Sequence, residues 1–515
     1  MLVKTYCAAV NGLNVSTVII ETSVERGQKV VLSGLGDEAV RESLSRVSTA
    51  FTYSGYKFPD KAITINLSPA NIRKEGSGYD LPIAVGILAA DEEMPDNHLH
   101  EYMLMGELGL DGTLKPIKGA LPIAILARKE KYKGLIVPKE NEREAAVVNN
   151  LEVYGMHSLS EVVMFLSDKL DASPVVFDTR KVFYEQQAKT DYDFADVKGQ
   201  ESVKRAMEIA AAGGHNMIMI GPPGSGKSMM AKRLPSILPP LSLSESLETT
   251  QIHSIAGKLG AEQSLIYQRP FRSPHHTISQ VALCGGGANP QPGEISLAHN
   301  GVLFCDELPE FSKTTLEVLR QPLEDRKITI SRAKYTIEYP CSFMFVASAN
   351  PCPCGYYGDR LHTCVCTPGQ ISRYMSKISG PLLDRIDIHC EIQAVPFAQL
   401  SRMQPGEPSS VIRERVIAAR KIQEERFKEY KGIHCNAMMT ERMIHEFAEP
   451  DAQSLDMLRM AMEKLKLSAR AYSRILKVAR TIADLAGSEK VQSMHIAEAI
   501  GYRSLDRGDW AERGI

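Results

Sequence analysis

A chain of 515 residues with 43% hydrophobic and 24% charged residues has the make-up of a soluble globular protein, with length for about three domains. Its formal net charge of −2 excludes nucleic-acid attraction by the molecule as a whole, so DNA contact would have to come from local basic patches. No apolar run approaches the ~18 residues that span a bilayer. Met1–Val15 carries one lysine and no sustained apolar run, so no membrane partner or secretory signal is expected and the expected location is cytoplasmic. Ten cysteines in so long a chain do not suggest a disulfide framework.

In chain order, Val15–Glu21, Lys29–Leu32 and Ala62–Leu67 are rich in β-branched residues and predict strands. Glu38–Phe51 between them predicts an amphipathic helix, and Leu81–Ala90 a second. Gly106–Ala120 reads as hairpin-like, Leu121–Lys131 as a helix and Gly134–Pro138 as a short strand. The whole predicts an α+β domain over residues 1–170. Its segments Arg73–Ile83, Gly106–Ala120 and Gly134–Asn141 resemble the proteolytic domain of Lon-type proteases and the related domain of RadA. That family uses a Ser–Lys dyad. Here Gly78 stands where the serine belongs, with Ser77 one residue off, and Leu121 stands at the lysine position. The resemblance therefore implies the fold without nucleophile or base. A scaffold that packs against neighbours and one that guides DNA both remain open as its role. Residues 171–192 have few apolar positions and read as a linker.

Residues 193–400 predict an ATPase core. The segment Phe194–Gln200 and an amphipathic helix, Glu201–Ala212, lead into the apolar run Met217–Ile220. Then comes G-P-P-G-S-G-K-S at Gly221–Ser228, followed by the helix-forming run Met229–Leu234. Strand, glycine-rich turn and helix are the context of a phosphate loop. Gly221, Gly224 and Gly226 let the backbone N–H groups curl inward at phosphate oxygens, with Pro222, Pro223 and Ser225 completing the cradle. Lys227 would reach the β- and γ-phosphates of ATP and Ser228 would ligate Mg²⁺ at a helix N-terminus. Gly301–Glu307, G-V-L-F-C-D-E, predicts a buried strand that presents Asp306 and Glu307 at its end. Asp306 would hold Mg²⁺ through water and Glu307 would orient and deprotonate the attacking water. A helix N-cap pair is the alternative.

Ser342–Asn350 predicts another buried strand, ending in an amide suited to bond the γ-phosphate and the water, the sensor role of AAA+ proteins. Capping of the strand is the plainer use of Asn350. Gly380–His389 resembles the segment that supplies the trans-acting arginine of Mg-chelatase and MCM-type ATPases. Arg385 is the candidate for that role, Arg373 the second choice, and a surface salt bridge the alternative. Residues 401–515 read as a helical lid. Ser468 fits an N-cap and Gly487 the residue past a C-terminus, with Ala471, Ile475, Val478, Ile482 and Leu485 at helical spacing between them. Arg470 lies in the first turn, where its charge opposes the helix dipole. That suggests an anionic partner, the nucleotide met by the second sensor arginine of AAA+ lids, with Arg474 as the fallback.

Two insertions stand out. Lys327–Ile330 and Thr336–Tyr339 predict a hairpin whose tip carries Arg332, Lys334 and Tyr335. Two cations and an aromatic suit a phosphate backbone and a stacked base, or else form a solvated turn. Cys352, Cys354, Cys364 and Cys366, C-x-C-x₉-C-x-C, suit a tetrahedral structural Zn²⁺, or reduced thiols in a rigid loop over residues 352–366.

Together with Pro292–Phe311, Ala349–Gly355 and Ser379–Asp387, these residues resemble the ComM/YifB family of Mg-chelatase-like ATPases, over nearly the whole chain. Cys305 stands where that family often has leucine. The resemblance implies a multidomain α/β protein: a Lon-protease-like domain, an AAA+ core with hairpin and cysteine-loop insertions, and a helical lid. It implies a homohexameric ring that uses ATP and Mg²⁺ as a helicase on branched or single-stranded DNA, supporting recombination of incoming DNA in natural transformation. Two other classes stay open, an AAA+ remodeller of protein partners and a Mg-chelatase-type motor subunit. Chelatase motors lack the Lon-like domain and the four-cysteine loop.

Overall fold

The computed structural model describes the chain except for residues 188–191, 261–262, 288–289, 333–334, 360, 395–404, 466 and 507–515. The first sheet has seven strands: β1 Leu2–Asn11, β2 Asn14–Glu25, β3 Val30–Ser33, β4 Ala62–Ser68, β5 Tyr102–Leu104, β6 Gly134–Pro138 and β7 Glu152–Met156, in the order β3-β4-β2-β1-β5-β6-β7. β1 and β2 form a long antiparallel hairpin, from Leu2 opposite Ser23 to Asn11 opposite Asn14. From β1 through β5 and β6 to β7 the pairing is parallel. Helix α1, Glu38–Tyr53, starts at Asp37, whose side chain accepts the Val40 N–H. Helix α2, Asp80–Ala90, is buried at every position. It lies so close to the sheet that a Cβ at Gly86 would meet the Thr22 hydroxyl at 2.8 Å. The predicted strands and helices of this region are present. β1, β5 and β7 were not predicted.

The stretch 171–192 departs from a free linker. Helix α3, Thr179–Gln187, buries Phe183 in the core of the first domain, and the Thr179 hydroxyl donates to Val147 O at 3.0 Å. Val175, Phe177 and Phe183 are spaced widely enough to read as polar sequence, yet each packs against that core.

The second sheet is fully parallel. Its strands are β8 Met217–Ile220, β9 Phe271–Arg272, β10 Val302–Cys305, β11 Met344–Ala349 and β12 Ile388–Glu391, ordered β9-β10-β11-β8-β12. β8, β10 and β11 are buried on both faces, as their apolar runs require. The carboxyl ends of β8, β10 and β11 therefore meet at one edge, and the chain leaves them at Gly221, Asp306 and Asn350. A separate two-stranded hairpin, Lys327–Arg332 with Tyr335–Pro340, stands beside this sheet.

The described residues from 409 to 506 are mainly helical. The helices Ser409–Phe427 and Ala469–Leu485 pack on Glu201–Gly213 and share one core with the sheet. The two halves of the chain also interleave. Leu241 and Leu265, which follow the phosphate loop in sequence, are buried in the core of the first domain. Leu243–Ile255 packs on the first domain's helix Ala120–Lys129, where the Gly119 N–H donates to Ser254 O at 3.3 Å.

Candidate nucleotide site

The loop leaving β8 is shaped by its glycines. A Cβ at Gly221 would stand 2.3 Å from Ile392 O, and Gly224 and Gly226 take φ of +76° and +91°. The turn delivers Lys227 to the first position of helix Lys227–Ile237. Its ammonium donates to Gly221 O at 2.7 Å, Pro222 O at 2.9 Å and Asn350 Oδ1 at 3.2 Å. All three are neutral acceptors, so phosphate oxygens would compete for this buried cation with advantage. Burial pushes the Lys227 pKa down, and the Asp306 and Glu307 carboxylates oppose that shift.

Ser228 Oγ donates to Asp306 Oδ2 at 2.6 Å. The other Asp306 oxygen accepts the Ser348 hydroxyl and, at 3.1 Å, the Glu307 N–H. The serine and aspartate expected to share a cation thus already touch. The Asp306–Glu307 pair is not a helix cap. Glu307 makes no side-chain capping bond to Leu308–Glu310, and the next helix is capped by Ser312. Glu307 is held with φ 53° and ψ 50°, an uncommon conformation for a side chain of its size. Its half-exposed carboxylate lies 3.7 Å from His276 Nδ1. Sequence reading missed Ser348 and His276. The signal for Ser348 was a hydroxyl inside an otherwise apolar buried strand, two residues before Asn350.

Arg385 lies at the opposite edge of the sheet. Its carbonyl accepts the Asn216 amide at 2.9 Å, and Asn216 immediately precedes β8. Asn216 and Gly221 stand five residue steps apart along extended chain, roughly 16 Å. Arg385 pairs with the exposed Glu324 at 2.5 Å and donates to Pro381 O at 2.5 Å, and its buried Nε has no hydrogen-bond partner among the described residues. Arg470 pairs with Asp384, next to Arg385, at 2.8 Å. The docking of the helical block on Glu201–Gly213 turns the first turn of Ala469–Leu485 towards the amino-terminal edge of the sheet. Arg474 is there too, 2.9 Å from Asp387. Asp387 in turn bonds His215 Nδ1 at 3.0 Å, and His215 Nε2 meets the Thr481 hydroxyl at 2.8 Å. Burial opposes ionisation of Asp387, but Arg474 and His215 together hold its carboxyl well below the usual range. Arg373 is exposed, in the last turn of Pro368–Met375.

Of the hairpin tip, Lys334 lies outside the described residues. Arg332 and Tyr335 pair through their backbones, and their side chains also lie outside the described structure. The four cysteines converge. Their sulfurs all lie within 4.8 Å of one another, and each is a free thiol. In the first domain, Leu121 is fully buried and Gly78 offers no nucleophile. Ser77 is hydrogen-bonded to the Glu107 carboxylate. Ser77, Gly78 and Glu107 line a cavity of about 630 Å³ with Arg73, Lys118 and Ile337 of the hairpin. Among the described residues no helix is long and apolar enough to cross a membrane.

A parallel sheet that gathers a phosphate loop, an Asp–Glu pair and a polar amide at neighbouring strand ends defines a phosphate-loop ATPase of the AAA+ class. Family models agree. Magnesium chelatase, subunit ChlI, matches residues 193–400; subunit ChlI of Mg-chelatase matches 20–141; and the ChlI C-terminal model matches 406–503. The chain is 43% identical to YifB of Escherichia coli (strain K12) over 96% of each chain. It is 42% identical to the competence protein ComM of Haemophilus influenzae, over 98% of this chain and 97% of that one. Lon protease 2 of Bacillus subtilis is 32% identical over 28% of this chain and 27% of its own. The chain belongs to the ComM/YifB family of Mg-chelatase-like AAA+ proteins.

Proposed function

We propose that this protein is an ATP-driven, ring-forming DNA motor that migrates branched recombination intermediates. The observation that carries the ring is the separation of roughly 16 Å between the Arg385 edge and the phosphate loop of the same chain. An arginine so placed serves a nucleotide only if a neighbouring subunit presents one, and a closed cycle of such head-to-tail contacts, six subunits by family likeness, gives every site its arginine. Arg470 and Arg474, at the same edge, would belong to that neighbour's site as well.

Within a site, Lys227 and the loop N–H groups bind the phosphates of ATP. Ser228 and Asp306 would hold Mg²⁺, which would supply charge neutralisation at the phosphoryl oxygens. Glu307 takes the proton of the attacking water, and Asn350, bonded to Lys227, orients that water. DNA as the substrate is supported by the name of the Haemophilus relative, a competence protein, and by the basic hairpin tip at Arg332, Lys334 and Tyr335. A structural Zn²⁺ on Cys352, Cys354, Cys364 and Cys366 and a cytoplasmic location complete the reading.

The test is incubation of purified protein with a labelled four-stranded junction and Mg-ATP, resolved on a native gel. Migrated products that vanish in Lys227→Ala are expected. Intact ATP hydrolysis with no strand movement on three- and four-stranded junctions would refute the DNA reading. It would favour remodelling of a protein partner, for which the first-domain cavity is the natural docking place.

A further inference from the structure

The cysteine cluster touches the ATPase site. Cys352 follows Asn350 by two residues, and Asn350 Oδ1 accepts the Lys227 ammonium at 3.2 Å. Gly355, within the loop, lies against the phosphate loop itself. It takes φ +87°, and a Cβ there would stand 2.6 Å from Pro223 Cδ. At its far end the loop runs straight into Thr367, the N-cap of Pro368–Met375, and through Gly380–Leu383 to Arg385. Residues 352–366 thus separate the amide facing this chain's nucleotide from the arginine at the opposite edge.

The contacts within that loop are mostly local and polar, such as His362 Nδ1 with the Asp359 carboxylate at 2.8 Å. Between Cys354 and Cys366 the aliphatic side chains turn outward, with Leu361 53% and Val365 81% exposed, while Tyr356 and Tyr357 are half-buried. A segment that buries so little apolar surface does not offset the entropy of its own ordering. The sulfurs supply what is missing. Cys352 lies 3.3 Å from Cys354 and 3.7 Å from Cys364, and Cys354 lies 3.6 Å from Cys364. These separations are too long for a disulfide. They match the edge of a tetrahedron of sulfurs about 2.3 Å from a central ion, which is about 3.8 Å. Backbone N–H groups already point at the sulfurs. Tyr356 and Val365 donate to Cys354, and Cys366 donates to Cys364 at 3.4 Å. Such bonds fix thiolate ligands in orientation. The space admits one ion and no cluster, and four thiolates select zinc among the common divalent ions.

We propose that Zn²⁺ bound by Cys352, Cys354, Cys364 and Cys366 sets the position of Asn350 against Lys227 and the phosphate loop, so that zinc occupancy controls the rate of ATP turnover. The inference rests on the zinc reading above and is independent of the DNA reading.

The test uses the full-length protein purified without chelators, with zinc counted by plasma mass spectrometry, affinity for a fluorescent ATP analogue, and kcat for ATP. Expected is about one zinc per chain. The double variant Cys364→Ser/Cys366→Ser loses the metal, its kcat falls about tenfold, and analogue affinity changes less than about threefold. Cys366→His, which keeps a four-ligand set, retains zinc and restores kcat. In an Asn350→Ala background, zinc loss lowers kcat by less than about twofold more, since both changes act through one amide. Zinc well below stoichiometry in the wild type overturns the metal and the inference together. A folded, zinc-free double variant with unchanged kcat overturns the control of turnover and leaves the metal standing, as does full additivity with Asn350→Ala. Should the double variant fail to fold, stepwise chelation and zinc re-addition on the wild type decide. A kcat that does not follow zinc content overturns the inference.

Discussion

Replacing Arg385 by alanine separates two uses of the same arginine. Acting on its own chain's nucleotide, it would work across a strand whose two ends lie roughly 16 Å apart. At that distance, two unit charges in water interact by about 0.3 kcal/mol, less than a twofold change in rate. Touching the transferred phosphate in a neighbour's site, such an arginine contributes about 10³–10⁵ in rate, some 4–7 kcal/mol. The fold should tolerate the change, because removing Arg385 leaves its partner Glu324 exposed to water rather than as a buried unpaired charge. The assay is steady-state ATP hydrolysis by Arg385→Ala, by Lys227→Ala, and by equimolar mixtures of the two. Each variant alone should be nearly inactive. In a mixed ring, an intact phosphate loop on one subunit meets an intact arginine on the next at about a quarter of the interfaces. Mixtures should therefore recover about a quarter of wild-type turnover. Co-purified mixed rings with no activity beyond the two parents would refute the trans assignment, and a loss of less than twofold in Arg385→Ala would remove the arginine from catalysis altogether.

Glu307→Gln should bind ATP as the wild type does and hydrolyse it at least about 10²-fold more slowly, since the amide cannot take the proton; single-turnover hydrolysis with a filter-binding control checks this. Phe183→Ala should cost about 3–5 kcal/mol, because the ring is buried in the first-domain core from a stretch that reads as linker. A denaturant midpoint shift under about 1 kcal/mol would mean Phe183 is peripheral. Stability should fall on acidification in two stages. His215 is held below its ordinary pKa by burial, so the unfolded chain gains a proton first as pH drops through about 6.5. Asp387 is held low by Arg474 and His215, so its contribution, complete above about pH 4, is lost below that. Melting temperature against pH should show both losses, and His215→Gln should remove the upper one.

What could be read from the sequence was whatever a strand end carries in one contiguous motif. Gly221–Ser228, Asp306–Glu307 and Asn350 each follow a buried apolar run, and parallel pairing brings those ends to one edge without further information. Arg470 could not be placed that way. Its surroundings depend on which side of Glu201–Gly213 the helical block docks, a matter of tertiary packing settled by the buried His215–Asp387–Arg474 network. Ser348 was hidden because a hydroxyl in a buried strand reads as a small core residue until Asp306 is seen opposite it. Strand β1 alternates buried and exposed residues only over its first half, after which Cys7, Ala8 and Ala9 are all buried, so its period was blurred.

Leu241 and Leu265 bear on how the molecule comes apart. They belong in sequence to the ATPase, yet their side chains are buried among residues of the first domain. A chain cut at residue 192 would leave two apolar scars, one on each fragment, so neither piece would be expected to stay monodisperse on its own. Calorimetry of the intact chain should give a single melting endotherm rather than one per sequence-defined domain. In the motor proposed above, a torque developed at the nucleotide would then be borne by the whole body of the chain, with no swivel at the boundary that the sequence suggests.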